Sequence, residues 1–167
     1  MNSSYLFKLA KTLPEIEAYF TLRQAIFVEE QDVFAKSDID ELDEIAYPII
    51  ALETQSHRVV GVVRIYETEP GLWYGGRLGT HRDYRRGWQI GKGLIHKAVT
   101  TAHGWGCEKF LATVQLQNVR FFQRLHWHSL SEMTICDRPH HLMQADLDFY
   151  PPIPDYRPAL LPLKEIS

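Results

Sequence analysis

The chain has 167 residues, of which 45% are hydrophobic and 23% charged, and it carries a formal net charge of -3 at pH 7. These values are typical of one globular domain, and the slight negative charge argues against nucleic acid as the main partner. Cys107 and Cys136 are too few for a disulfide framework and lack metal-ligand spacing, and no apolar run reaches the ~20 residues of a membrane span. Because residues 1–5 show no signal-peptide pattern, we expect a cytoplasmic protein with neither a metal site nor a membrane partner.

The first half of the chain predicts one helix followed by three strands. Apolar residues recur at helical spacing from Leu13 to Val28, and Pro14 falls in the first turn, where its missing N–H costs nothing. The acidic stretch from Asp32 to Glu44 lacks periodicity and predicts a loop or a short helix. Three runs rich in β-forming residues then predict strands, the first two as a hairpin; they cover residues 47–54, 58–68 and 72–80.

The third predicted strand is unusual because it contains Gly75, Gly76 and Gly79. Glycine weakens a strand interior, so three of them indicate a bulge or a close approach of a ligand to the backbone. The alternative is that they only make room for a neighbouring helix.

The second half predicts a long helix, a buried strand, a short helix and a final strand pair. The long helix begins near Ile90, shows apolar residues at i, i+4, i+8 and i+12, and ends at Gly104. Asn118 is the expected cap of the short helix, which runs to Leu125. The predicted strands cover residues 110–114, 129–135 and 142–147. Residues 151–167 form a proline-rich tail that we expect to pack on the domain formed by residues 1–150.

Charge is distributed unevenly along the chain. Between Glu29 and Glu44 there are eight acids and one base, whereas between Arg77 and Lys97 there are six bases and one acid. If both segments face a cleft, the first favours a cationic ligand and the second an anionic one. The alternative is two solvated faces of opposite sign.

The basic turn, residues Leu78–Lys92, combines a strand end, a glycine-bearing loop and a helix start. Such a turn leaves backbone N–H groups free and aims them, with the positive end of the helix dipole, at one point. The segment therefore predicts a phosphate or diphosphate site.

Part of this turn, Arg86-Gly87-Trp88-Gln89-Ile90-Gly91, resembles the acyl-CoA-binding signature of the GNAT N-acetyltransferase superfamily, Arg/Gln-x-x-Gly-x-Gly/Ala. Gln89 stands where that pattern has a glycine. We expect this to be tolerated if Gln89 is helical, and to be disruptive if the position needs a positive φ.

Further segments extend the resemblance over roughly residues 21–147. Residues 118–127 are similar to the superfamily's Asn…Phe-Tyr-Glu-Lys-Leu-Gly-Phe segment. Arg23-x-x-x-Phe27-x-x-Glu30-Gln31, followed by Asp40 and Asp43, resembles one GNAT branch, and acyl-homoserine-lactone synthases share a variant of it. His140-His141-Leu142-Met143 before the last predicted strand also fits that branch. The tail and the glycine-rich strand are similar to a bacterial subgroup tied to nitrogen starvation.

The resemblance implies an α/β fold and an acetyl-CoA site. The expected fold is a mixed, mostly antiparallel sheet of six to seven strands, with a splay between two central parallel strands and helices on both faces. Backbone groups of Leu78, Gly79 and Thr80 would bind the pantetheine arm. The other residues implied at the cofactor are Arg85, Arg86, Gly87, Trp88, Gln89, Ile90, Gly91, Lys92, Asn118 and Phe122.

Acetyl transfer requires a neutral amine. An alkyl ammonium has a pKa of about 10.4, so its deprotonation at pH 7 costs about 4.6 kcal/mol, which favours a general base. The superfamily often takes this base from the glycine-bearing strand, but residues 72–80 contain no acid. Glu30 is the leading candidate, followed by Glu29, Asp40 and Asp43. The alternative is that these acids only attract a cation or lie in solvent.

The proton for the departing thiolate is the second requirement. The superfamily's usual tyrosine aligns with Phe122, which has no proton to give. Tyr84, Tyr74 or water substitutes, or the thiolate leaves unprotonated, or the protein binds CoA without turnover.

The acceptor side is assigned to Arg23, Phe27, Glu29, Arg64 and Arg77. Arg64 and Arg77 lie in strand patterns and would contact a substrate carboxylate; the alternative is ion pairs with the acidic segment.

The sequence therefore predicts an acetyl-CoA-dependent N-acetyltransferase that acts on a small-molecule amine in a ternary complex. The alternatives are a synthase-like acyltransferase that uses another acyl-thioester, and a non-catalytic CoA-binding regulatory module. We leave a homodimer open.

Overall fold

The computed structural model describes residues 4–160, which form one seven-stranded sheet with helices on both faces. In chain order the strands are β1 (Tyr5–Leu9), β2 (Tyr47–Glu53), β3 (Val59–Glu69), β4 (Leu72–Thr80), β5 (Lys109–Gln115), β6 (Trp127–Ile135) and β7 (Arg138–Ala145). Their order across the sheet is β1-β2-β3-β4-β5-β7-β6, and only β4 and β5 run parallel. The predicted mixed sheet with a parallel central pair is confirmed.

Three α-helices and several short turns connect the strands. The helices are α1 (Leu13–Gln24), α2 (Gln89–Gly104) and α3 (Val119–Arg124). A π-helical turn (Ala25–Glu30) continues α1, and 3-10 turns lie at Glu41–Glu44, Arg82–Tyr84, Leu116–Asn118 and Leu147–Phe149. No helix in the described range is long and apolar enough to cross a membrane.

The start of α1 is set by a capping box. The Thr12 side chain accepts from the Glu15 backbone N–H, and the Glu15 carboxylate accepts from the Thr12 N–H. Two backbone N–H groups that have no partner within the helix are thus hydrogen-bonded, as the S/T-x-x-E pattern predicts. The helix then widens, since the N–H of Gln31 donates to the carbonyl of Ile26 at 2.9 Å. A widened turn rotates its side chains relative to the rest of the helix, and such turns are frequent at functional sites.

The two faces of the sheet carry separate cores. On one face α1 and the widened turn bury Ile16, Tyr19 and Ile26 against Ile50 and Val62. On the other face α2 packs its apolar stripe on the sheet, with buried residues that include Leu94, Ala98, Val99, Val60, Ile65 and Phe110. Both faces of the central strands are therefore packed against helices, and this packing fixes the position of the gap between β4 and β5.

That gap is a splay between the two parallel strands. β4 pairs with β5 only at Leu72–Lys109, Trp73–Phe110 and Tyr74–Leu111. Beyond Tyr74, β4 continues along β3, whereas β5 continues along β7. The edges of both strands are consequently open to a ligand in their second halves.

A β-bulge bends β4 where the splay begins. Arg64 pairs with Gly76 and Val62 with Gly79, so two residues of β4 oppose one of β3. Arg77, inside the bulge, has a φ of 51°, an uncommon conformation for a residue with a side chain. A Cβ on Gly79 would lie 2.8 Å from the Ile26 side chain, so this glycine also makes room for the helix. The bulge expected in the glycine-rich strand is therefore present, and Gly79 in addition makes room for the neighbouring helix.

The described part of the tail, residues 151–160, contacts the sheet and α2. Asp155 pairs with Lys97 at 2.8 Å and accepts from the Trp105 indole through its carbonyl. The guanidinium of Arg157 lies 4.9 Å from the ring centroid of Trp73, and the Tyr47 hydroxyl donates to the Pro158 carbonyl. The rest of the predicted tail, residues 161–167, lies outside the described residues, as do residues 1–3.

Several local predictions differ from the structure. The edge strand β1 was not predicted, and the final strands begin earlier than expected, at Trp127 and Arg138. Asn118 occupies the N-cap position of α3 as predicted, but its side chain makes no capping hydrogen bond, and a 3-10 turn precedes the helix. Leu147 lies in the 3-10 turn that follows β7 rather than in the strand.

Candidate active site

A cavity of about 410 Å³ occupies the splay and extends through it from one face of the sheet to the other. On the α2 side it is apolar, with Ile95, Val99 and Phe122 among its walls. On the α1 side it is lined by polar groups that include Asp40, Arg64, Tyr66, Arg77 and His140. An apolar channel that opens onto a few convergent polar groups is the usual form of a small-molecule site.

The basic turn lies at the α2 end of this gap. Trp88 precedes the first helical residue and makes no side-chain capping bond, so the first N–H groups of α2 have no side-chain cap. Gly87 has a φ of 75°, and a Cβ built there would meet no atom within 4 Å. The turn is therefore shaped as an open cradle with the positive end of a 16-residue helix behind it.

The remaining residues of the turn divide between the cradle and the core. Gln89 is the first residue of α2 and adopts a helical backbone, which is the condition under which we expect it to replace glycine. Ile90 is buried in the core, so it can offer only backbone groups. Arg86 is exposed, and Lys92 and Gly91 complete the first turn of the helix.

An aromatic contact borders the cradle. The exposed Trp88 ring meets Phe121 of α3 edge-on at 6.2 Å, and Arg124 lies 5.4 Å from the same indole. Trp88 is therefore positioned to cover a ligand bound at the turn.

Leu78, Gly79 and Thr80 lie on β4 beyond the splay point, where β5 no longer pairs with the strand. Leu78 lines the cavity, whereas the Thr80 carbonyl accepts from Arg85 Nε at 2.9 Å. This hydrogen bond to the Thr80 carbonyl fixes the Arg85 side chain at the end of β4.

Arg85 is also the partner of Glu30. Its guanidinium donates to both carboxylate oxygens of Glu30, one of them at 2.8 Å, and both side chains are partly exposed. These hydrogen bonds lower the pKa of Glu30 below its ordinary value. Glu30 does not line the cavity, so the structure brings it to the basic turn rather than to the acceptor face. Glu29 is exposed beside it.

Asn118 and Phe122 both border the cavity. Phe122 is buried and packs edge-on against Trp127, with ring centroids 5.1 Å apart. The hydroxyl of Tyr84 donates to Glu53 at 3.2 Å, and Tyr74 stacks on Tyr66 without lining the cavity. Neither tyrosine therefore takes the place that Phe122 occupies.

On the α1 side of the cavity, a network of three arginines and three aspartates holds the acidic segment against the sheet. Arg23 is fully buried and donates to Asp38 and Asp43 at 2.6 Å each. Arg64 donates to both oxygens of Asp40, at 2.7 and 3.1 Å. Arg77 donates to the carbonyl of Asp38 and to Asp40. The ion pairs considered for Arg64 and Arg77 are thus present.

The network affects the ionisation of its members. Burial by itself raises the pKa of Asp40, but the hydrogen bonds and charge of Arg64 outweigh it, so the pKa lies below its ordinary value. For Arg77, burial together with the charges of Arg64 and Arg23 lowers the pKa, yet a guanidinium remains cationic in proteins. Asp40 is therefore a carboxylate with two cationic partners, which weakens it as a base.

One donor of this network is unused. Arg64 Nε is buried and has no hydrogen-bond partner, and a Cβ on Gly76 would lie 3.6 Å from it. Arg77 lies 4.4 Å from the Phe34 ring, and Phe27 lines the same wall. Arg64, Arg77 and Phe27 are thus brought together at the acceptor face, whereas Arg23 lies beneath it and does not line the cavity.

The sequence did not assign Tyr66, Gln31 or His140 to the site, although all three line the cavity. His140 could have been found from its position in a strand. Side chains alternate along a strand, so His140 and His141 face opposite sides of the sheet. Among the described residues, no three His, Cys, Asp or Glu side chains are grouped in a way that could hold a metal ion.

Comparisons with known proteins agree with this geometry. The sequence profile of the acetyltransferase (GNAT) family matches residues 14–127. The chain is 29% identical over 141 residues to the uncharacterized N-acetyltransferase YjcF of Bacillus subtilis, an alignment that covers 83% of this chain and 97% of YjcF.

Solved structures share the fold, and two of them are compared with this chain. An acyl-CoA N-acyltransferase from Pseudomonas aeruginosa superposes with a TM-score of 0.73 at 20% identity, covering 87% of this chain and 100% of the other. A CoA-dependent acyl-homoserine lactone synthase, BjaI, solved with SAM and isopentyl-CoA, gives a TM-score of 0.69 at 19% identity over 86% of this chain and 82% of its own. The family match spans more than half of the chain and coincides with the splayed strands and the basic turn: this protein belongs to the GNAT acetyltransferase family and is an acyltransferase.

Proposed function

We propose that the protein transfers an acetyl group from acetyl-CoA to the amine of a small molecule, with both substrates bound at once. The observation that carries this proposal is the cavity in the splay, which runs from apolar walls on the α2 side to a polar acceptor face on the α1 side. The cradle at the α2 N-terminus follows the open end of β4. A donor bound at one end and an amine at the other would meet inside the gap, where their reacting atoms are held together.

The residues at the donor end fit an acyl-CoA. The open cradle at Gly87 and the uncapped N–H groups of α2 suit a diphosphate, and the unpaired edge of β4 from Leu78 to Thr80 suits the amide-bearing pantetheine arm. The apolar part of the cavity beside Phe122 suits an acyl chain and would shield the thioester from water.

At the acceptor end we propose that Arg64 and Arg77 bind a polar group of the amine substrate, with Phe27 against its carbon skeleton. Arg64 supports this role because it lines the cavity and because its buried Nε has no hydrogen-bond partner among the described residues. Arg23 then acts indirectly, since it holds Asp38 and with it the loop that carries Asp40. Cys107 and Cys136 are both free, which supports a reducing compartment such as the cytoplasm.

The test is a screen for amine-dependent release of CoA thiol from acetyl-CoA with pooled primary amines, followed by mass spectrometry of the products. We expect acetylated amine and free CoA in equal amounts. Release only from longer acyl-CoA donors would favour the reaction type of the lactone synthase instead. Binding of acetyl-CoA without release in any pool would contradict the proposal.

We further propose that Glu30 positions Arg85 at the basic turn, so Glu30→Gln tests its role in the reaction. A general base contributes about 10²–10⁴-fold to the rate, and we expect kcat to fall by far less than this. The KM for acetyl-CoA should shift by up to about fivefold, because an exposed ion pair contributes at most about 1 kcal/mol.

Glu29→Gln, at the neighbouring exposed acid, is the matched control and should leave both constants near those of the wild type. A hundredfold loss of kcat in Glu30→Gln with an unchanged KM for acetyl-CoA would instead make Glu30 the base.

A further inference from the structure

His140 lines the acceptor end of the cavity from β7. It pairs with Gln115 of β5 and Met133 of β6, and its side chain is mostly buried. The ring nitrogen Nδ1 lies 2.8 Å from the carbonyl of Arg138. A carbonyl only accepts, so Nδ1 carries the proton of the neutral ring and Nε2 carries the lone pair.

The Nε2 atom is free to accept a proton. Within residues 4–160, no side chain or backbone group hydrogen-bonds to it. The adjacent His141 differs in this respect, because its ring bonds to Ser129 and lies 3.6 Å from Glu132 on the other face of the sheet. Of these two consecutive histidines, His140 therefore lines the cavity, whereas His141 contacts β6 on the other face of the sheet.

The other titratable groups on the cavity wall are unsuited to accept a proton near neutral pH. Asp40 is held by two guanidinium groups, and burial raises the pKa of Tyr66, so its hydroxyl stays protonated. The remaining groups that face the cavity are the cations Arg64 and Arg77 and the thiol of Cys136. Arg138 lies on the same strand two residues before His140, and its side chain reaches the Gln31 carbonyl at 3.4 Å.

We propose that His140 is the general base that deprotonates the acceptor amine, either directly or through one water. The assignment rests on the proposed acyl transfer and goes beyond it by naming the proton acceptor. Imidazole is suited to this task because its ordinary titration lies near physiological pH.

Nε2 takes one proton from the substrate ammonium, and the freed lone pair attacks the thioester carbonyl carbon, forming the C–N bond. The C–S bond then breaks, and the sulfur leaves with the bonding electrons. It receives the second proton, which the nitrogen loses as the amide forms, so Phe122 need not supply one. His140 then releases its proton to water.

The variant His140→Asn tests the proposal, because the Asn amide can still donate to the Arg138 carbonyl but cannot take up a proton. With acetyl-CoA and the best amine from the pooled screen, we expect kcat to fall about 10²–10⁴-fold. The KM for acetyl-CoA should stay within a few-fold, and added imidazole should restore part of the rate. The decline of wild-type kcat towards acid pH should disappear in the variant.

His141→Asn is the matched control and should keep the wild-type rate and pH profile. His140→Gln serves as a second variant if the melting temperature of His140→Asn differs from that of the wild type. A kcat for His140→Asn within a few-fold of that of His141→Asn, with the acid decline intact, would overturn the role of His140 alone. Absence of amine-dependent thiol release from the wild type would overturn the proposed function and this role with it.

Discussion

Replacement of Gly91 by glutamate is expected to weaken acetyl-CoA binding by at least about 100-fold, because a like charge facing a phosphate costs several kcal/mol. Gly91 lies in the first turn of α2, where the diphosphate would meet the helix N-terminus. A Cβ added there would lie 3.6 Å from Phe121, an ordinary contact. A carboxylate in the first turn also interacts favourably with the helix dipole. The loss should therefore fall on binding and not on folding.

Gly91→Ala is the matched control, since it adds the Cβ without the charge and suits a helix interior better than glycine. Titration calorimetry with acetyl-CoA should give an affinity near the wild-type value for Gly91→Ala and no measurable binding for Gly91→Glu at equal melting temperature. Equal affinities for the two variants would place the diphosphate elsewhere.

Arg23→Met is expected to produce the largest loss of stability. Removing one partner of a buried ion pair costs about 3–5 kcal/mol, because it leaves an uncompensated buried charge. Here Arg23 is fully buried and two nearly buried carboxylates, Asp38 and Asp43, would lose their main donor. For a domain of this size the melting temperature should fall by about 10 °C or more. Denaturant unfolding at pH 7 measures the difference directly.

The loss of stability in Arg23→Met should also depend on pH. Burial raises the pKa of Asp43, but the hydrogen bond and charge of Arg23 outweigh it, and the pKa lies below its ordinary value of 3.8. A depressed pKa contributes stability above the ordinary value and loses it as the pH falls. The gap between wild type and Arg23→Met should therefore be widest near neutral pH and narrow below about pH 4.

Lys8→Met is the control for this prediction, because it breaks the partly exposed pair with Glu15 at 2.6 Å. An exposed pair contributes at most about 1 kcal/mol. If Arg23→Met cost no more than Lys8→Met, the network would not hold the acidic segment in place.

The elements nearest the donor site were predictable because their signals are local. Each signal lies within a short stretch of sequence. These signals are the apolar repeat of α2, the glycines of the basic turn and the β-rich runs of β2 to β4. Even the departure at Gln89 could be judged from its position, because a first-turn residue with a helical backbone does not need glycine. The family resemblance added the mixed sheet with its splay between two parallel strands, which periodicity alone does not give.

The pairing of charges was not predictable in the same way. Arg23 reaches Asp38 over 15 residues, Arg64 reaches Asp40 over 24, and Arg85 reaches Glu30 over 55. Which acid meets which base depends on how α1 and the acidic segment fold onto β3 and β4. The sequence favours Glu30 as the general base because the glycine-bearing strand holds no acid, whereas the fold places the Glu30 carboxylate on Arg85 of the basic turn.

His140 was missed for a different reason. The last strand was predicted to begin at Leu142, which left His140 in a connecting segment with no defined face. In the structure β7 begins at Arg138, and strand alternation turns His140 into the cavity. An error of four residues in a strand boundary thus concealed the group best suited to accept a proton.

The placement of acetyl-CoA in the splay can be checked with a crystal structure of the CoA complex. We expect the diphosphate on the backbone N–H groups between Gly87 and Gly91, the pantetheine arm along β4 beyond Tyr74, and the sulfur in the cavity that Phe122 and His140 line. A second cavity, of about 630 Å³, lies between α1 and the β2–β3 turn, where His57 and His81 line it. CoA bound there, or anywhere outside the splay, would show that the splayed strands are not the acyl-CoA site.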